Sequence, residues 1–302
     1  MPESKTHCGL VALVGAPNAG KSTLLNQMVG AKVSIVTPKV QTTRTRVTGI
    51  AIEGTTQLVF VDTPGIFTKT KRRLERAMVA SAWAGAADAD QVVVVVDGTK
   101  KGLGDDLRSI LSGLKEAKRP AILALNKVDL IKRPELLPRV AQLNQEFDFA
   151  KTFMISAETG DGVADLKKHL AGLMPEGPWL FAEDDLSDLP ERLLAAEVTR
   201  EQAFLKLHDE LPYDLMVETE SWKDFKDGSA KIQQVIYVRR DSQKAIVLGK
   251  GGATVKAINL AARKVLEEQL GRKVHLFLFV KVRDTWPDDP ERFKAMGLDW
   301  VE

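Results

Sequence analysis

The chain has 302 residues, of which 44% are hydrophobic and 28% are charged, and its formal net charge is only +2. That length allows two compact domains of roughly 100 to 200 residues each. The composition excludes a disordered, collagen-like or disulfide-rich chain, and the single cysteine, Cys8, cannot form an internal disulfide.

The N-terminal seven residues are polar and lack the apolar stretch of a signal peptide. The most apolar run, residues 92–96, is far too short to span a bilayer. We therefore expect a cytoplasmic protein with no transmembrane segment, in which Cys8 is a buried structural thiol. No metal ligand is predicted among the scattered histidines, which are His7, His169, His208 and His275.

Short, β-branched-rich apolar segments alternate with amphipathic segments through the first 178 residues. The predicted strands are 9–14, 57–61, 91–96, 121–125 and 152–155. The predicted helices begin near Lys21, Leu74, Asp105, Pro134 and Val163. This alternation is typical of an α/β domain with a mostly parallel sheet flanked by helices, which we assign to residues 1–178.

The first predicted strand runs into GAPNAGKS at residues 15–22, which fits the P-loop pattern G-x-x-x-x-G-K-[ST] between a strand and a helix. Glycines let backbone N–H groups turn towards phosphates, and Lys21 can reach the terminal phosphates. Ser22 is the expected Mg²⁺ ligand. The predicted nucleotide contacts of this loop are Gly15, Ala16, Pro17, Asn18, Ala19, Gly20, Lys21, Ser22 and Thr23.

The strand predicted at 57–61 runs into Asp62-Thr63-Pro64-Gly65. The Asp62 carboxylate suits the Mg²⁺ shell, and the backbone N–H of Gly65 can meet a γ-phosphate. An ordinary turn is the alternative interpretation of these residues. All four are predicted nucleotide contacts.

Two later strand ends indicate a guanine base. The strand at 121–125 leads to Asn126-Lys127-Val128-Asp129, where a carboxylate can accept guanine's N1–H and amine, a pair of donors that adenine lacks. The strand at 152–155 leads to a loop in which a backbone N–H can meet guanine O6. Ligands of open α/β sheets bind at the carboxyl ends of strands. The predicted contacts are Asn126, Lys127, Asp129, Ser156 and Ala157.

Prolines and acidic residues then interrupt the pattern, and we predict a linker at 179–190. A predicted helix at 192–211, strands at 213–225 and 231–239, a helix at 253–270 and a strand at 274–282 follow. This is an α+β pattern. We assign a smaller domain to residues 191–284 and a C-terminal tail to residues 285–302.

Positive charge is concentrated in the smaller domain. Between Lys226 and Arg283, thirteen basic residues stand against four acidic ones. Surface lysines without a ligand are the alternative explanation. The sequence Gly-Lys-Gly-Gly at 249–252, between an apolar stretch and a helix, is suited to approach an RNA backbone. The predicted RNA contacts are Gly249, Lys250, Gly251, Gly252 and Lys256.

These motifs, together with Gln41-Thr42-Thr43-Arg44, resemble those of translation-factor-related GTPases and, over residues 9–302, the Era family. The resemblance implies GTP or GDP with Mg²⁺, a type II KH domain, and action on small-subunit ribosomal RNA near its 3′ end during subunit maturation. It assigns the threonine of the second motif, which closes over Mg²⁺ in the GTP state, to Thr43, with Thr42 as the fallback. A hydroxyl-rich loop without a metal role is the alternative for both.

The predicted mechanism relies on charge and positioning. Ile66 stands where small signalling GTPases have a glutamine that orients water, so we expect slow hydrolysis, with Lys21, Thr43 and Gly65 as the catalytic groups. Asn18 resembles an asparagine that helps to bind K⁺ in related GTPases, and a loop-stabilising asparagine is the alternative.

The predicted function is a GTP-operated RNA-binding switch, and two alternatives stay open. One is a nucleotide-sensing RNA scaffold without activity. The other is a membrane-associated signalling or division GTPase that contacts the inner membrane surface peripherally. The basic segment after Gly65 could contact RNA or a membrane, or could be a solvent-exposed loop; its residues are Lys69, Lys71, Arg72 and Arg73. The tail, which contains Trp286 and Trp300, could fold onto the smaller domain or bind RNA.

Overall fold

The computed structural model describes residues 5–39, 42–44, 47–66, 73–208, 211–286, 289–295, 298 and 300. Of the residues singled out above, Gln41, Lys69, Lys71 and Arg72 lie outside this set. The chain divides into two compact units, the first comprising Met1–Asp188 with Phe293–Glu302 and the second Leu189–Arg292.

The first unit is built on a six-stranded sheet. Its strands are β1 (His7–Val14), β2 (Val47–Glu53), β3 (Thr56–Asp62), β4 (Gln91–Asp97), β5 (Ile122–Asn126) and β6 (Lys151–Met154). The strand order is β2-β3-β1-β4-β5-β6, and only β2 is antiparallel to its neighbour. All five predicted strands are confirmed, whereas β2 was not predicted.

Helices cover both faces of this sheet. They are α1 (Lys21–Val29), α2 (Arg73–Asp88), α3 (Asp105–Glu116), α4 (Arg133–Glu146) and α5 (Val163–Ala171). Alternate residues of β1 enter two separate cores: Leu13 packs with α1 and α5, whereas Val14 packs with α2, α3 and α4. A strand buried on both faces reads as a continuous apolar run, which is why the parallel strands were visible in the sequence.

The parallel strands place their carboxyl ends at one edge of the sheet. β1 ends at Val14, β3 at Asp62, β5 at Asn126 and β6 at Met154, and the predicted nucleotide motifs lie at these ends or directly after them. The fold therefore brings residues far apart in sequence to one edge.

The second unit is an α+β arrangement. Its elements are α6 (Glu191–Lys206), β7 (Met216–Asp224), β8 (Ala230–Val238), α7 (Asp241–Leu248), α8 (Ala253–Leu270) and β9 (Val274–Val282). A short helix, α9 (Pro290–Ala295), follows. In the sheet, β8 lies between β7, to which it is antiparallel, and β9, to which it is parallel. Apolar residues of α6, α7 and α8 pack against one face of this sheet.

Three elements of the second unit differ from the predictions. The strand predicted from residue 213 begins at Met216, because Leu211–Asp214 form a short 3-10 helix. The helix predicted to reach residue 211 ends at Lys206, where Leu207 is extended with φ −100° and ψ 155°. The apolar stretch before the Gly-x-x-Gly sequence forms helix α7, which ends at Gly249 with φ +70°.

The two tail tryptophans lie in different units. Trp286 is buried in the second unit, where its indole N–H donates to the backbone oxygen of Asp214 at 3.2 Å. Trp300 belongs to the first unit, and its ring centroid lies 4.3 Å from the guanidinium carbon of Arg73. Trp300 therefore packs on the start of α2, an arrangement that the sequence did not indicate.

Candidate functional site

Two glycines of the loop between β1 and α1 are required by their surroundings. A Cβ on Gly15 would lie 2.5 Å from the backbone oxygen of Val95, and one on Gly20 would lie 2.2 Å from Nδ2 of Asn126. Gly20 also has φ +97°, a conformation that favours glycine. The loop backbone therefore lies directly against β4 and β5.

Lys21 begins α1, and its side chain is buried against this loop. Its Nζ donates to the backbone oxygens of Gly15 at 3.0 Å and Ala16 at 3.2 Å. Burial lowers the pKa of Lys21 to about 8, against the opposing effect of the Asp62 charge. A buried ammonium bonded to neutral carbonyls is well complemented by an anion, so phosphate oxygens fit this position.

Hydroxyl and carboxylate oxygens from separate segments meet beside Lys21. Ser22 Oγ donates to Asp62 Oδ2 at 2.6 Å and lies 2.9 Å from Thr43 Oγ1. Thr43 Oγ1 lies 3.3 Å from the same carboxylate oxygen. Ser34, which no motif indicated, also donates to it, at 3.0 Å. Such hard oxygen donors are the ligands that Mg²⁺ prefers.

The environment of Asp62 favours a cation. Burial raises the pKa of this carboxyl group, while the Lys21 charge and three hydroxyl donors lower it. Its other oxygen, Oδ1, is buried and has no hydrogen-bond partner among the residues that the structure describes. A buried carboxylate oxygen of this kind is stabilised by a metal ion, so the residues fit Mg²⁺.

The two candidate threonines have different partners. Thr43 contacts Ser22 and Asp62, as given above. Thr42 Oγ1 instead donates to the backbone oxygen of Lys39 at 2.7 Å and lies 2.6 Å from Thr37 Oγ1. Only Thr43 of this pair is placed beside the expected metal ligands.

The Asp-Thr-Pro-Gly segment is tied to the phosphate loop and to β1. Thr63 Oγ1 donates to a backbone oxygen of β1 at 2.8 Å. The backbone N–H of Ile66 donates to Gly15 O at 3.3 Å, and a Cβ on Gly65 would lie 3.0 Å from the backbone nitrogen of Pro17. The Ile66 side chain packs in the core between β1 and α2, so it does not reach the phosphate side.

Asn126 ties three segments together at the end of β5. Its Nδ2 donates to the backbone oxygen of Ala19 at 2.9 Å. Its Oδ1 accepts the backbone N–H groups of Lys127 at 2.8 Å and Ala157 at 2.9 Å. The side chain is buried, so Asn126 acts as a tether between the phosphate loop and the two loops predicted to hold the base.

Lys127, which has φ +66°, makes a second connection between the phosphate loop and the neighbouring strand ends. Its Nζ donates to Asn18 O at 2.9 Å and to Asp97 Oδ2 at 2.7 Å. Burial raises the pKa of Asp97, but hydrogen bonds from Lys127 and Thr99 outweigh it and lower the pKa overall. Sequence reasoning missed Asp97, although a carboxylate at the carboxyl end of a strand was the signal that could have found it.

The loop after β6 is closed by its own hydrogen bonds. The backbone N–H of the buried Ser156 donates to Asp161 O at 2.9 Å. The N–H of Ala157 donates to Asn126 Oδ1, so the amides of both residues are bonded within the protein. The predicted contact with guanine O6 would therefore need the Ala157 N–H to be shared or released.

A cavity of about 460 Å³ lies over the phosphate loop. Its wall includes Pro17, Asn18, Gly20, Lys21, Ser22, Thr23, Thr43, Gly65 and Lys127. Among the described residues, the other predicted contacts are not on this wall: Gly15, Ala16, Ala19, Asp62, Thr63, Pro64, Asn126, Asp129, Ser156 and Ala157. Asp129 is exposed in a single helical turn, Val128–Leu130.

The Gly-x-x-Gly loop joins α7 to α8 and contains three glycines with positive φ. The φ angles of Gly249, Gly251 and Gly252 are +70°, +60° and +79°. A Cβ on Gly249 would lie 2.2 Å from Thr254 Oγ1, whereas Cβ atoms on Gly251 and Gly252 would meet nothing within 4 Å. The outer side of the loop is therefore open to the backbone of another molecule.

Positive charge flanks this loop. Lys250 and Lys256 are exposed, and α8 begins at Ala253, directly after the glycines. Unpaired amides at a helix N-terminus and nearby lysines are both suited to phosphate. The structure thus brings all five predicted RNA contacts to one end of α8.

Two protein-family models match the chain. The model described as "50S ribosome-binding GTPase" matches residues 10–127, and the model described as "KH domain" matches residues 210–287. The first range begins in β1 and ends at Lys127. The second range contains the Gly-x-x-Gly loop.

Curated relatives called "GTPase Era" align with nearly the whole chain. The protein of Rhizobium meliloti (strain 1021) is 59% identical over 295 residues, which cover 98% of this chain and 94% of the relative. The protein of Afipia carboxidovorans is 56% identical over 303 residues, which cover 99% of this chain and 98% of the relative.

Solved structures agree over the same length. An Era protein in complex with MgGDPNP and nucleotides 1506–1542 of 16S ribosomal RNA has a TM-score of 0.91 and 37% identity, covering 97% of this chain and 99% of that chain. An Era variant of Aquifex aeolicus bound to GDP·AlF4⁻ has the same score, identity and coverage. The chain therefore belongs to the Era family of GTPases, in which a P-loop GTPase domain is followed by a KH domain.

Proposed function

We propose that this GTPase is a GTP-operated switch that binds small-subunit ribosomal RNA during maturation of the small ribosomal subunit. The observation that carries the proposal is the presence, in one chain, of the Ser22–Thr43–Asp62 cluster beside Lys21 and of an open, basic Gly-x-x-Gly loop. The first binds and senses the nucleotide, and the second binds RNA.

Small-subunit RNA is favoured over large-subunit RNA because the similarity that supports it covers more of the chain. The family model whose description names the 50S ribosome matches only residues 10–127. The Era structure that holds a 16S RNA fragment is similar over 97% of this chain, including the second unit. We therefore favour 16S ribosomal RNA of the small subunit as the partner.

In the proposed nucleotide site, Lys21 and the loop amides hold the phosphates. Ser22, Thr43 and Asp62 hold Mg²⁺, which when bound neutralises phosphate charge. Asp129 accepts the two donors of guanine, while Asn126 and Lys127 fix the loops around the base. The hydrogen bonds of Asn126 to both loops support that positioning role.

Hydrolysis in this proposal is slow without RNA. Ile66 is buried in the core and carries no polar group to orient water. The proposed catalytic groups are Lys21, Thr43 and Gly65, which act by neutralising charge and by positioning the reacting groups. Asn18 donates to the backbone oxygen of Pro38 at 3.0 Å, which supports a role in joining the phosphate loop to the segment before Thr43.

A K⁺ ion beside Asn18 is a further part of the proposal. A monovalent cation there would add positive charge to the phosphates, as an arginine finger does in other GTPases. Hydrolysis should then be faster in KCl than in NaCl at matched ionic strength. Equal rates would remove K⁺ from the mechanism and leave Asn18 as a loop-stabilising residue.

The proposed place of action is the cytoplasm. Among the described residues, every helix is too short or too polar to cross a membrane. A peripheral contact between basic residues and the inner membrane surface stays a prediction.

The central test compares RNA affinity in two nucleotide states. A labelled RNA containing the 3′ end of 16S ribosomal RNA should bind with different affinity in GDP·Mg²⁺ and in a non-hydrolysable GTP analogue with Mg²⁺. Identical affinities would refute the switch. Single-turnover phosphate release with and without this RNA then separates a GTPase from a nucleotide-sensing scaffold, since a scaffold releases no phosphate in either case.

A further inference from the structure

In the described part of the second unit, α6, α7 and α8 pack on one face of the three-stranded sheet; on the other face the residues of β9 are exposed, although Val235 and Tyr237 of β8 are buried. Alternate residues of β9 point to opposite faces, and those on the inner face pack with α6, α7 and α8. The inner residues are Val274, Leu276, Leu278 and Val280. The outer residues are His275, Phe277, Phe279 and Lys281, and all four are exposed.

Aromatic side chains are concentrated on this open face. Phe277 and Phe279 are 45% and 47% exposed. Phe225, which directly follows β7, is 39% exposed, and its ring centroid lies 6.3 Å from that of His275. Single exposed apolar residues are common, but a group of aromatic rings on one face marks an interaction surface.

Lysines accompany the rings. Lys231 Nζ lies 5.2 Å from the ring centroid of Phe277, and Lys223 Nζ lies 5.7 Å from that of Phe225. The acidic Glu220 on the same sheet is paired with Lys281 at 2.7 Å, which offsets its charge. By strand register this face carries three lysines, Lys223, Lys231 and Lys281, against two acidic residues, Glu218 and Glu220, and this small basic excess favours a polyanion.

We propose that this open face is a second RNA-binding surface, on which bases of a single-stranded RNA segment stack on Phe277 and Phe279 while Lys223 and Lys231 approach its phosphates. The proposal rests on the RNA-binding function proposed above and deepens it. Residues two apart on a strand are separated by about 6.8 Å, which leaves room for each ring to stack a separate base. Exposed aromatics on a sheet bind RNA in this way in other folds.

This surface is distinct from the Gly-x-x-Gly loop. The loop lies between α7 and α8, and residues of both helices pack on the opposite, covered face of the sheet. An RNA strand would have to pass around the edge of the sheet to contact both. The proposal therefore predicts a longer RNA footprint than the loop alone provides.

The test uses the full chain and a uridine-rich, unstructured RNA of about 30 nucleotides. Stacking contributes a factor of about five or more per base, so Phe277→Ala with Phe279→Ala should weaken binding by at least about ten-fold. Phe277→Tyr with Phe279→Tyr, which keeps the rings, should bind as the unchanged chain does. Leu260→Ala removes a similarly exposed apolar side chain from α8 and should have no effect.

Replacement by leucine separates base stacking from apolar docking. Phe277→Leu with Phe279→Leu keeps the face apolar, so it should lose RNA affinity as the alanine pair does. Unchanged RNA affinity in both the leucine and alanine pairs would overturn the proposal, as would a change in self-association without a change in RNA binding. Equal thermal midpoints among the variants would show that these exposed side chains do not act through folding.

The proposed function and this inference fail in distinguishable ways. If Lys250→Glu abolishes RNA binding while the alanine pair leaves it unchanged, the function stands and the second surface is refuted. If the unchanged chain does not bind 16S or uridine-rich RNA in any nucleotide state, the function itself is refuted. Photo-crosslinks from 4-thiouridine RNA to β9 as well as to residues 249–252 support the second surface, and crosslinks confined to the loop contradict it.

Discussion

At the scale of single residues, Thr42 and Thr43 are a natural pair for a controlled experiment. Both are threonines in one segment, but only Thr43 lies beside Ser22 and Asp62. Thr43→Ala should raise the Mg²⁺ concentration needed to bind a GTP analogue by about ten-fold or more, because it removes a predicted ligand of the metal. A Mg²⁺ titration of analogue binding measures this.

Thr42→Ala is the matched control. It removes hydrogen bonds to Lys39 and Thr37, and it should alter the Mg²⁺ requirement much less. GDP affinity should change less than analogue affinity in Thr43→Ala, since this threonine is assigned to the γ-phosphate state. A larger Mg²⁺ effect in Thr42→Ala would reverse the assignment.

Asp97 offers a second test at this scale. Asp97→Asn would leave the partly buried ammonium of Lys127 without its ion-pair partner and loosen the tie to Asn18. A loss of about 1.4 kcal/mol in the bound complex corresponds to about ten-fold faster nucleotide dissociation. Release of a fluorescent GDP derivative measures that rate.

The control for Asp97 is an exposed carboxylate elsewhere in the first unit. Asp148→Asn, in the turn before β6, removes the same charge from the molecule without touching the site. Its nucleotide dissociation rate should match that of the unchanged chain. If both variants release GDP equally fast, long-range charge and not the Lys127 tie explains the effect of Asp97.

Sequence motifs predicted the residues of the candidate nucleotide site but not the hydrogen bonds that support it. Lys21, Ser22 and Asp62 were predictable because phosphate and Mg²⁺ chemistry needs those residue types at fixed strand ends. Ser34 could not be predicted, since a lone serine far from any motif carries no signal. The hydrogen bond from the backbone N–H of Ala157 to Asn126 could not be predicted either, because every residue type except proline has a backbone N–H.

At the scale of elements, β2 shows why a strand can be overlooked. Its sequence, VTGIAIE, has a glycine at its third position, inside the strand, which lowers strand propensity. The structure gives the reason for that glycine: a Cβ on Gly49 would lie 2.5 Å from Leu25 Cδ1 and 2.8 Å from Val29 Cγ2. Close packing of α1 on β2 therefore requires Gly49, and packing is not readable from local sequence.

Gly49→Ala tests this packing. The added methyl group should force α1 away from β2 and lower the free energy of unfolding by about 1–3 kcal/mol, the usual range for overpacking a core. Urea unfolding measures the loss. Gly177→Ala, where a Cβ would meet nothing within 4 Å, is the control and should leave stability nearly unchanged.

Helix α7 could not be predicted because its sequence is compatible with either a strand or a helix. Its apolar residues Ala245, Ile246, Val247 and Leu248 have the β-branched content of a strand, so periodicity over so short a run could not assign it. In the structure the residues at both ends cap this segment as a helix. At its start Gln243 Oε1 accepts the backbone N–H of Arg240 at 3.2 Å, and at its end Gly249 follows the last helical residue. Helix α8 was predicted with its observed bounds because it is long and ends at glycines.

At the scale of the whole molecule, each unit has a hydrophobic core of its own. Leu13 and Leu24 pack in the first unit, and Ile236 and Ile258 pack in the second. Separate cores allow each unit to bind its ligand by itself. Switch behaviour therefore requires a coupling free energy between the nucleotide and RNA sites, and coupling of this kind is reciprocal.

Reciprocity gives the last prediction. If the GTP analogue changes RNA affinity by some factor relative to GDP, RNA must change the preference for the analogue over GDP by the same factor, typically about 5- to 150-fold. Nucleotide affinities measured with and without saturating 16S RNA fragment test this. Lys250→Glu should abolish the RNA effect while leaving nucleotide affinity without RNA unchanged, because Lys250 lies in the RNA loop of the second unit. If RNA strengthens GDP and analogue binding equally, the chain binds both ligands without acting as a switch.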